Sequence, residues 1–170
     1  MDPRSIVLGF ARRHEAPTLA LMARDLIEAG LGWEYRAERI ARFIDNRETI
    51  ALVARDGGDV IGFAVMMFGD ERAHLTLLAV SPTYQRRGIA RRMLAWLVES
   101  AAVAGISSLH VELRAGNTAA RRLYRSAGFV ETLRLPGYYR GRESALRMIR
   151  MLRAPGAAVA RWRPPMIDKR

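Results

Sequence analysis

Two rhythms of apolar and polar positions alternate along the 170-residue chain, and each change of rhythm marks an element. Ile6 to Phe10 is a short apolar run that predicts a first strand. From Ala16 to Ala29, Leu19, Met22, Ala23, Leu26 and Ile27 recur at helical spacing, with Gly30 where a C-cap glycine belongs. Glu34 to Asp45 predicts a second helix, with Ile40, Phe43 and Ile44 on one face. Thr49 to Arg55 and Val60 to Phe68 are β-rich runs, and Asp56-Gly57-Gly58-Asp59 between them predicts a hairpin turn. Ala73 to Val80 predicts a further strand that ends at Ser81-Pro82, where proline lacks the N–H a ladder needs. Helical spacing returns from Gly88 to Ala104, with Ala90, Leu94, Leu97, Val98 and Ala101 in one stripe and Gly105 as terminator. Ser108 to Arg114 reads as a strand, and Thr118 to Ala127 as a short helix capped by Asn117 and closed by Gly128. Phe129 to Leu133 and Ser144 to Leu152 predict two last strands, separated by Pro136-Gly137-Tyr138-Tyr139. The order β-α-α-β-β-β-α-β-α-β-β is that of an α/β (α+β) fold. Its hairpins make part of the sheet antiparallel, and a crossover helix makes its centre parallel.

Composition narrows the classes. Half of the residues are hydrophobic and 26% are charged, as in a globular domain large enough to bury a core without staples. There is no cysteine, which removes disulfides, thiolate metal sites and a covalent acyl-cysteine together. His14, His74 and His110 lack any metal-ligand spacing, so no metal is expected. No apolar run approaches the roughly 18 residues a membrane helix needs, and the first residues do not read as a secretory signal. A cytoplasmic protein with no membrane partner is expected. Residues 1–152 read as one domain. Residues 153–170, rich in Ala, Pro and Arg without a period, read as a basic, flexible tail.

The net charge of +11 changes the picture further. Lys169 is the only lysine, and nine arginines face three glutamates between residues 110 and 152. A basic C-terminal half implies an anionic partner: nucleic acid, a membrane surface or a phosphate-rich cofactor.

Candidate chemistry concentrates where the strand ending at Val80 runs into the Gly88 helix. The first amides of a helix have no backbone acceptor and sit at its positive end. Gly88 lets a ligand approach the backbone, Ala90 keeps the next step small, and Arg86, Arg87 and Arg91 add charge. The segment reads as a pyrophosphate cradle or as an ordinary strand–turn–helix joint with solvated arginines. It is neither a Walker A loop nor a G-x-G-x-x-G fingerprint.

Gln85-Arg86-Arg87-Gly88-Ile89-Ala90 resembles the Q/R-x-x-G-x-G/A motif of the GNAT superfamily of N-acetyltransferases. A second block, Leu109 to Tyr124 followed by Gly128-Phe129, resembles L-x-V-E-x-R-x-x-N-x-x-A-x-x-L-Y-x-x-x-G-F of the branch that contains the ribosomal-protein alanine N-acetyltransferases. Tyr138-Tyr139 is similar to the same branch. The resemblance spans Ile50 to Leu152, departing at Gly116, where the branch often has Ser, and at Ala90, where Gly is commoner. The first 48 residues carry no such signature, and in this superfamily that region shapes the acceptor site.

The resemblance implies the GNAT fold: a mixed sheet of six to seven strands flanked by about four helices, splayed beside the fourth strand. It implies acetyl-CoA as co-substrate, with Leu78, Ala79 and Val80 offering backbone groups to the pantetheine arm as to an added strand. Gln85, Arg86, Arg87, Gly88, Ile89, Ala90 and Arg91 would hold the pyrophosphate, and Asn117 would contact CoA as well as cap its helix. Glu112 would take the acceptor amine's proton directly or through water, or merely pair with an arginine such as Arg114. Tyr124 would be the general acid for the CoA thiolate, or a core tyrosine. Arg121, Arg122 and Arg125 would meet the adenosine phosphate or form a solvated face. His74 and His110 read as sheet residues without catalysis, and Trp33 and Tyr35 as acceptor-pocket residues or an exposed helix joint.

The expected function is acetyl transfer to a primary amine in a ternary complex. The acceptor is a protein or peptide N-terminus, or else a small amine such as an antibiotic, polyamine or amino acid. A nucleic-acid module would need interleaved aromatics or a recognition helix, and neither is present in the sequence. A CoA-binding domain without turnover would not need both Glu112 and Tyr124. A monomer and a homodimer both remain open.

Overall fold

The computed structural model describes residues 5–153. The elements are β1 (Ile6–Phe10), α1 (Ala16–Met22), α2 (Ala37–Asp45), β2 (Thr49–Asp56), β3 (Asp59–Phe68), β4 (Arg72–Val80), α3 (Ile89–Val103), β5 (Ser108–Arg114), α4 (Thr118–Ser126), β6 (Val130–Tyr139) and β7 (Glu143–Met151). A 3-10 turn over Arg13–Glu15 leads into α1, which continues as a wider π turn over Ala23–Ile27. The basic tail expected after residue 153 lies outside the described residues.

The seven strands form one mixed sheet in the order β1-β2-β3-β4-β5-β7-β6. Among the described residues every neighbouring pair is antiparallel except β4 with β5. That parallel pair follows from the crossover through α3, as the element order requires. It is short, running from Arg72 opposite Ser108 to Leu75 opposite Val111, and past Leu75 the two strands part. The splay expected beside the fourth strand is therefore present.

Side-chain alternation divides the core into two layers. Leu109, Val111 and Leu113 of β5 and Leu146 and Met148 of β7 point to the α3–α4 face, where Met93, Leu94, Leu97 and Tyr124 pack. Val53, Phe63 and Val65 point to the other face, under Leu19 and Ala20 of α1 and Ile40 of α2. A bulge reverses the phase of β4: Val65 pairs with Leu77 and Met66 with Leu75, which leaves Thr76 as an extra residue. Ala73 and Leu75 thus join the α3–α4 layer, whereas Leu77 and Ala79 join the α1–α2 layer.

Two boundaries differ from the sequence expectation. Pro136 to Tyr139 is not a separator between strands. It lies within β6 as an irregular stretch, with register shifts between Leu135 and Tyr139. β6 is an edge strand, where the missing proline N–H costs no ladder bond. The turn falls instead at Arg140 and Gly141, with φ of 51° and 70°. Helix α2 begins at Ala37 rather than Glu34, because local hydrogen bonds hold the approach in a non-helical path. The Glu28 carboxylate accepts the amides of Glu34 (2.7 Å) and Tyr35 (3.2 Å), and the Trp33 indole donates to the carbonyls of Ala20 and Tyr35.

Candidate active site

Where β4 and β5 part, a cavity of about 1060 Å³ opens. Residues from both faces of the sheet line it: Ala120 and Tyr124 from the α4 side, Ile27, Glu28 and Tyr35 from the α1–α2 side. The cavity therefore runs through the gap in the sheet. Leu78, Glu112, Asn117 and Tyr124, four residues singled out from the sequence, line this one space, together with His74, Thr76, Arg114 and Tyr139. Between Thr76 and Val80 the edge of β4 facing β5 has no ladder partner, leaving backbone groups for an extended ligand.

Glu112 sits at the middle of β5 with a side chain only 12% exposed, on the strand phase opposite Val111 and Leu113. Both of its oxygens are engaged. Oε2 is hydrogen-bonded to Nε2 of His74, and Oε1 accepts from Nε of Arg147 at 2.9 Å. The His74 hydrogen bond holds the carboxyl below the usual carboxylate range, against burial, which pushes the other way; Arg147 adds to the lowering. The arginine at Glu112 is Arg147, directly opposite on β7, and not Arg114. The Arg114 guanidinium instead donates to the carbonyls of Ile27 (3.1 Å) and Ala29 (2.7 Å), tying the end of the α1 segment to β5.

Tyr124 is 5% exposed and packs edge-on against Phe129 at 5.4 Å. The residue lines the cavity, and no hydrogen bond engages its hydroxyl among the described residues. Burial pushes the phenol up, so it remains protonated throughout the neutral range. Tyr139, also facing the cavity, is pushed up to about 12, first by burial.

The Asn117 side chain accepts the Ala120 amide at 3.0 Å and so caps α4. Asn117→Ala should cost about 1 kcal/mol, which for a domain of this size lowers the melting temperature by roughly 2–4 °C. A calorimetric scan checks this.

The basic loop turns through two left-handed residues, Arg86 at φ 61° and Gly88 at φ 77°. Gln85 closes its start by donating from Nε2 to the Val80 carbonyl at 2.9 Å. In α3 the Arg92 amide is bonded to the Gly88 carbonyl at 3.0 Å, so the amides of Ile89, Ala90 and Arg91 precede the helical ladder. An ideal Cβ at Gly88 would meet no chain atom within 4 Å. The space beside Gly88, at the start of α3 and next in sequence to Arg86, Arg87 and Arg91, is therefore open. Arg87 stacks over Tyr84 at 5.2 Å. On α4, Arg121 and Arg125 pair with Glu131, so two of the three outer arginines are held by a carboxylate.

Sequence reasoning placed His74 among inert sheet residues, but the fold sets it against Glu112. Tyr35 lines the cavity, whereas Trp33 is not among the lining residues and anchors the α1–α2 loop. Among the described residues no group of three or more metal-binding side chains converges, and no helix is long and apolar enough to cross a membrane.

Comparisons with known proteins agree with this geometry. The model of the acetyltransferase (GNAT) family matches residues 19–129. The chain is similar to the ribosomal protein bS18-alanine N-acetyltransferase of Escherichia coli, 38% identical over 94 residues, 54% of this chain. That match spans 64% of the relative's length, just under two thirds. The N-alpha-acetyltransferase RimI of Mycobacterium tuberculosis is 30% identical over 143 residues, 82% of this chain and 87% of that one. Among solved structures, the ribosomal-protein-S18-alanine N-acetyltransferase of Escherichia coli superposes with a TM-score of 0.78 at 25% identity, covering 91% of this chain and 99% of the other.

Proposed function

Because this chain belongs to the GNAT acetyltransferase family, we propose that it transfers the acetyl group of acetyl-CoA to a primary amine, the α-amino group of a protein or peptide N-terminus. One observation carries the reading: one cavity at the gap between β4 and β5 is lined both by an ionised carboxylate held by His74 and Arg147 and by a phenol without a hydrogen bond among the described residues. Acyl transfer to an amine needs those two poles. One receives the proton the amine must lose, and the other supports the charge that develops on the departing sulfur.

The residues present fit acetyl-CoA. The unpaired edge through Leu78, Ala79 and Val80 would take the pantetheine arm, and the amides and arginines of Gln85 to Arg91 would take the diphosphate. Asn117, at the rim of the cavity, would contact the arm while capping α4. The amine nitrogen attacks the thioester carbon directly. An α-amino group titrates near ~8 and a lysine near ~10.4, so the α-amine needs less help to lose its proton at neutral pH. Its proton is received at the Glu112 cluster, and Tyr124 supplies a hydrogen to the sulfur as the C–S bond breaks. The N-terminal acceptor is supported by the two relatives named for that chemistry. It would place the reaction in the cytoplasm, beside newly made protein.

The test is CoA release from acetyl-CoA across three acceptor sets: peptides with free N-termini, the same peptides blocked at the N-terminus but bearing lysine, and small amines. Turnover confined to free N-termini is the expected result. Turnover confined to polyamines or aminoglycosides would replace the peptide reading, and no CoA release from any set would remove the enzyme reading.

A further inference from the structure

We propose that His74 is the base of the reaction, taking the acceptor's proton at Nδ1, while Glu112 and Arg147 are the positioning residues that orient and charge-balance it. The inference rests on the acetyl-transfer reading and assigns an atom within it. The first argument is access. In the His74–Glu112 pair the imidazole side chain is 43% exposed and the carboxylate 12%. A substrate entering the cavity meets the ring first.

The second argument is commitment. Glu112 spends one oxygen on His74 and the other on Arg147, and a proton taken by the carboxylate would remove the negative charge that strengthens both bonds. The third argument is the tautomer. A carboxylate only accepts, so Nε2 of His74 must carry the hydrogen, which leaves a lone pair on Nδ1. That lone pair takes the hydroxyl of Thr76 at 3.3 Å, a long hydrogen bond from the bulged, cavity-lining residue that the hydroxyl can surrender to an amine by rotating. Arrangements of this kind, with a carboxylate behind the ring and a substrate in front, stabilise the imidazolium without the carboxylate taking the proton. Base strength points the same way, since imidazole is better matched to an α-amine than a carboxylate held below its ordinary range.

The step balances. The amine N–C bond forms while the C–S bond breaks, the amine's proton passes to Nδ1, and the sulfur takes a hydrogen from the Tyr124 hydroxyl. His74 then releases its proton to solvent and the phenolate recovers one. The titratable and charged groups nearest the ring in the fold are Glu112, bonded to it, with His110 and Arg114 on the same strand, Arg72 on the ring's own strand, Arg147 on β7, and Glu28, Tyr35, Tyr124 and Tyr139 lining the same cavity. Glu112 is the carboxylate hydrogen-bonded to the ring, so Glu112→Gln removes the negative charge in direct contact with it.

The experiment measures kcat with saturating acetyl-CoA and an accepted peptide from about pH 5.5 to about pH 9, a range spanning histidine and α-amine titration. Wild type should show an acidic limb from the imidazole. His74→Gln should lose that limb and fall roughly 10²-fold at neutral pH, the lower end for a general base, while binding acetyl-CoA as before. Glu112→Gln should keep the limb and move it to lower pH. A wild-type limb in His74→Gln, or a limb abolished in Glu112→Gln, overturns the assignment in favour of Glu112. Ring-nitrogen NMR of wild type and Glu112→Gln reads the dyad without turnover and without altering His74. It should show the Nε2–H tautomer in the neutral ring and a lower titration midpoint in the variant, and the Nδ1–H tautomer would overturn the proposal. Wild-type protein that acetylates no amine removes the acetyl-transfer reading, and the role of His74 with it.

Discussion

Tyr124→Phe should leave acetyl-CoA binding intact and lower kcat by roughly 10³-fold, within the range of general-acid contributions. The substitution removes one oxygen and keeps the ring, which packs edge-on against Phe129 in the α3–α4 layer. Stability should change little, because the hydroxyl has no hydrogen-bond partner among the described residues to lose. The thiol of CoA should titrate near the free-thiol value of ~8.5, far below a phenol that burial pushes up, so the hydroxyl stays protonated wherever the enzyme is assayed. The deficit should accordingly be flat with pH across the neutral range, unlike that of His74→Gln. Acetyl donors with a better leaving thiol should narrow it, since a sulfur that departs easily needs less support. Wild-type turnover in Tyr124→Phe would make the residue a core tyrosine and nothing more. Calorimetry with acetyl-CoA supplies the control that binding has survived.

Gly88→Val should weaken acetyl-CoA binding by about 10²-fold or more, the equivalent of two charge-assisted hydrogen bonds. The reasoning is steric and local. The residue sits at φ 77° immediately before α3, and a Cβ there meets only open space beyond its two chain neighbours. A valine would fill part of that space at the start of α3, which is the space proposed for the diphosphate. A left-handed valine also costs about 1–3 kcal/mol in the folded protein, so the melting temperature should fall by several degrees while the fold persists. Gly88→Ala separates the two effects, carrying much of the strain and less of the bulk. An unchanged acetyl-CoA affinity in Gly88→Val would exclude the loop as the diphosphate site.

Features written into a few adjacent residues were legible before the fold was known. Asn117 at the start of a helical stripe, Gly88 at the start of another, and Gly57-Gly58 between two β-rich runs each carry their conformation in local chemistry. Pro136-Gly137 misled for the same reason. Their local preference is a turn, and what overrides it is position at the sheet edge, which no local pattern reveals. The partners of Glu112 were harder still. Arg114 is two residues away and Arg147 thirty-five, yet register places Arg147 directly across the strand pair. His74 reaches Glu112 only through the short parallel pairing of β4 with β5, made over a crossover helix. A usable signal did exist. His110, Glu112 and Arg114 alternate with Leu109, Val111 and Leu113, marking a polar phase on a central strand, and a polar phase there calls for partners.

The extra residue at Thr76 has a consequence for how this protein can change. A strand with an unbroken beat commits every second side chain to one layer from end to end. Here the count restarts midway, so His74 serves the chemistry and Leu77 the packing from the same side of the sheet. Substitution within β4 edits one position. Removal of Thr76 would restore an unbroken beat, with Leu75 against Met66 and Leu77 against Val65. It would leave Leu77 and Ala79 in the α1–α2 layer and Val80 in the α3–α4 layer, and take away only the bulged residue that lines the cavity. Among single-residue deletions in β4, that of Thr76 should therefore be the one the packing tolerates, and its cost should fall on the cavity instead.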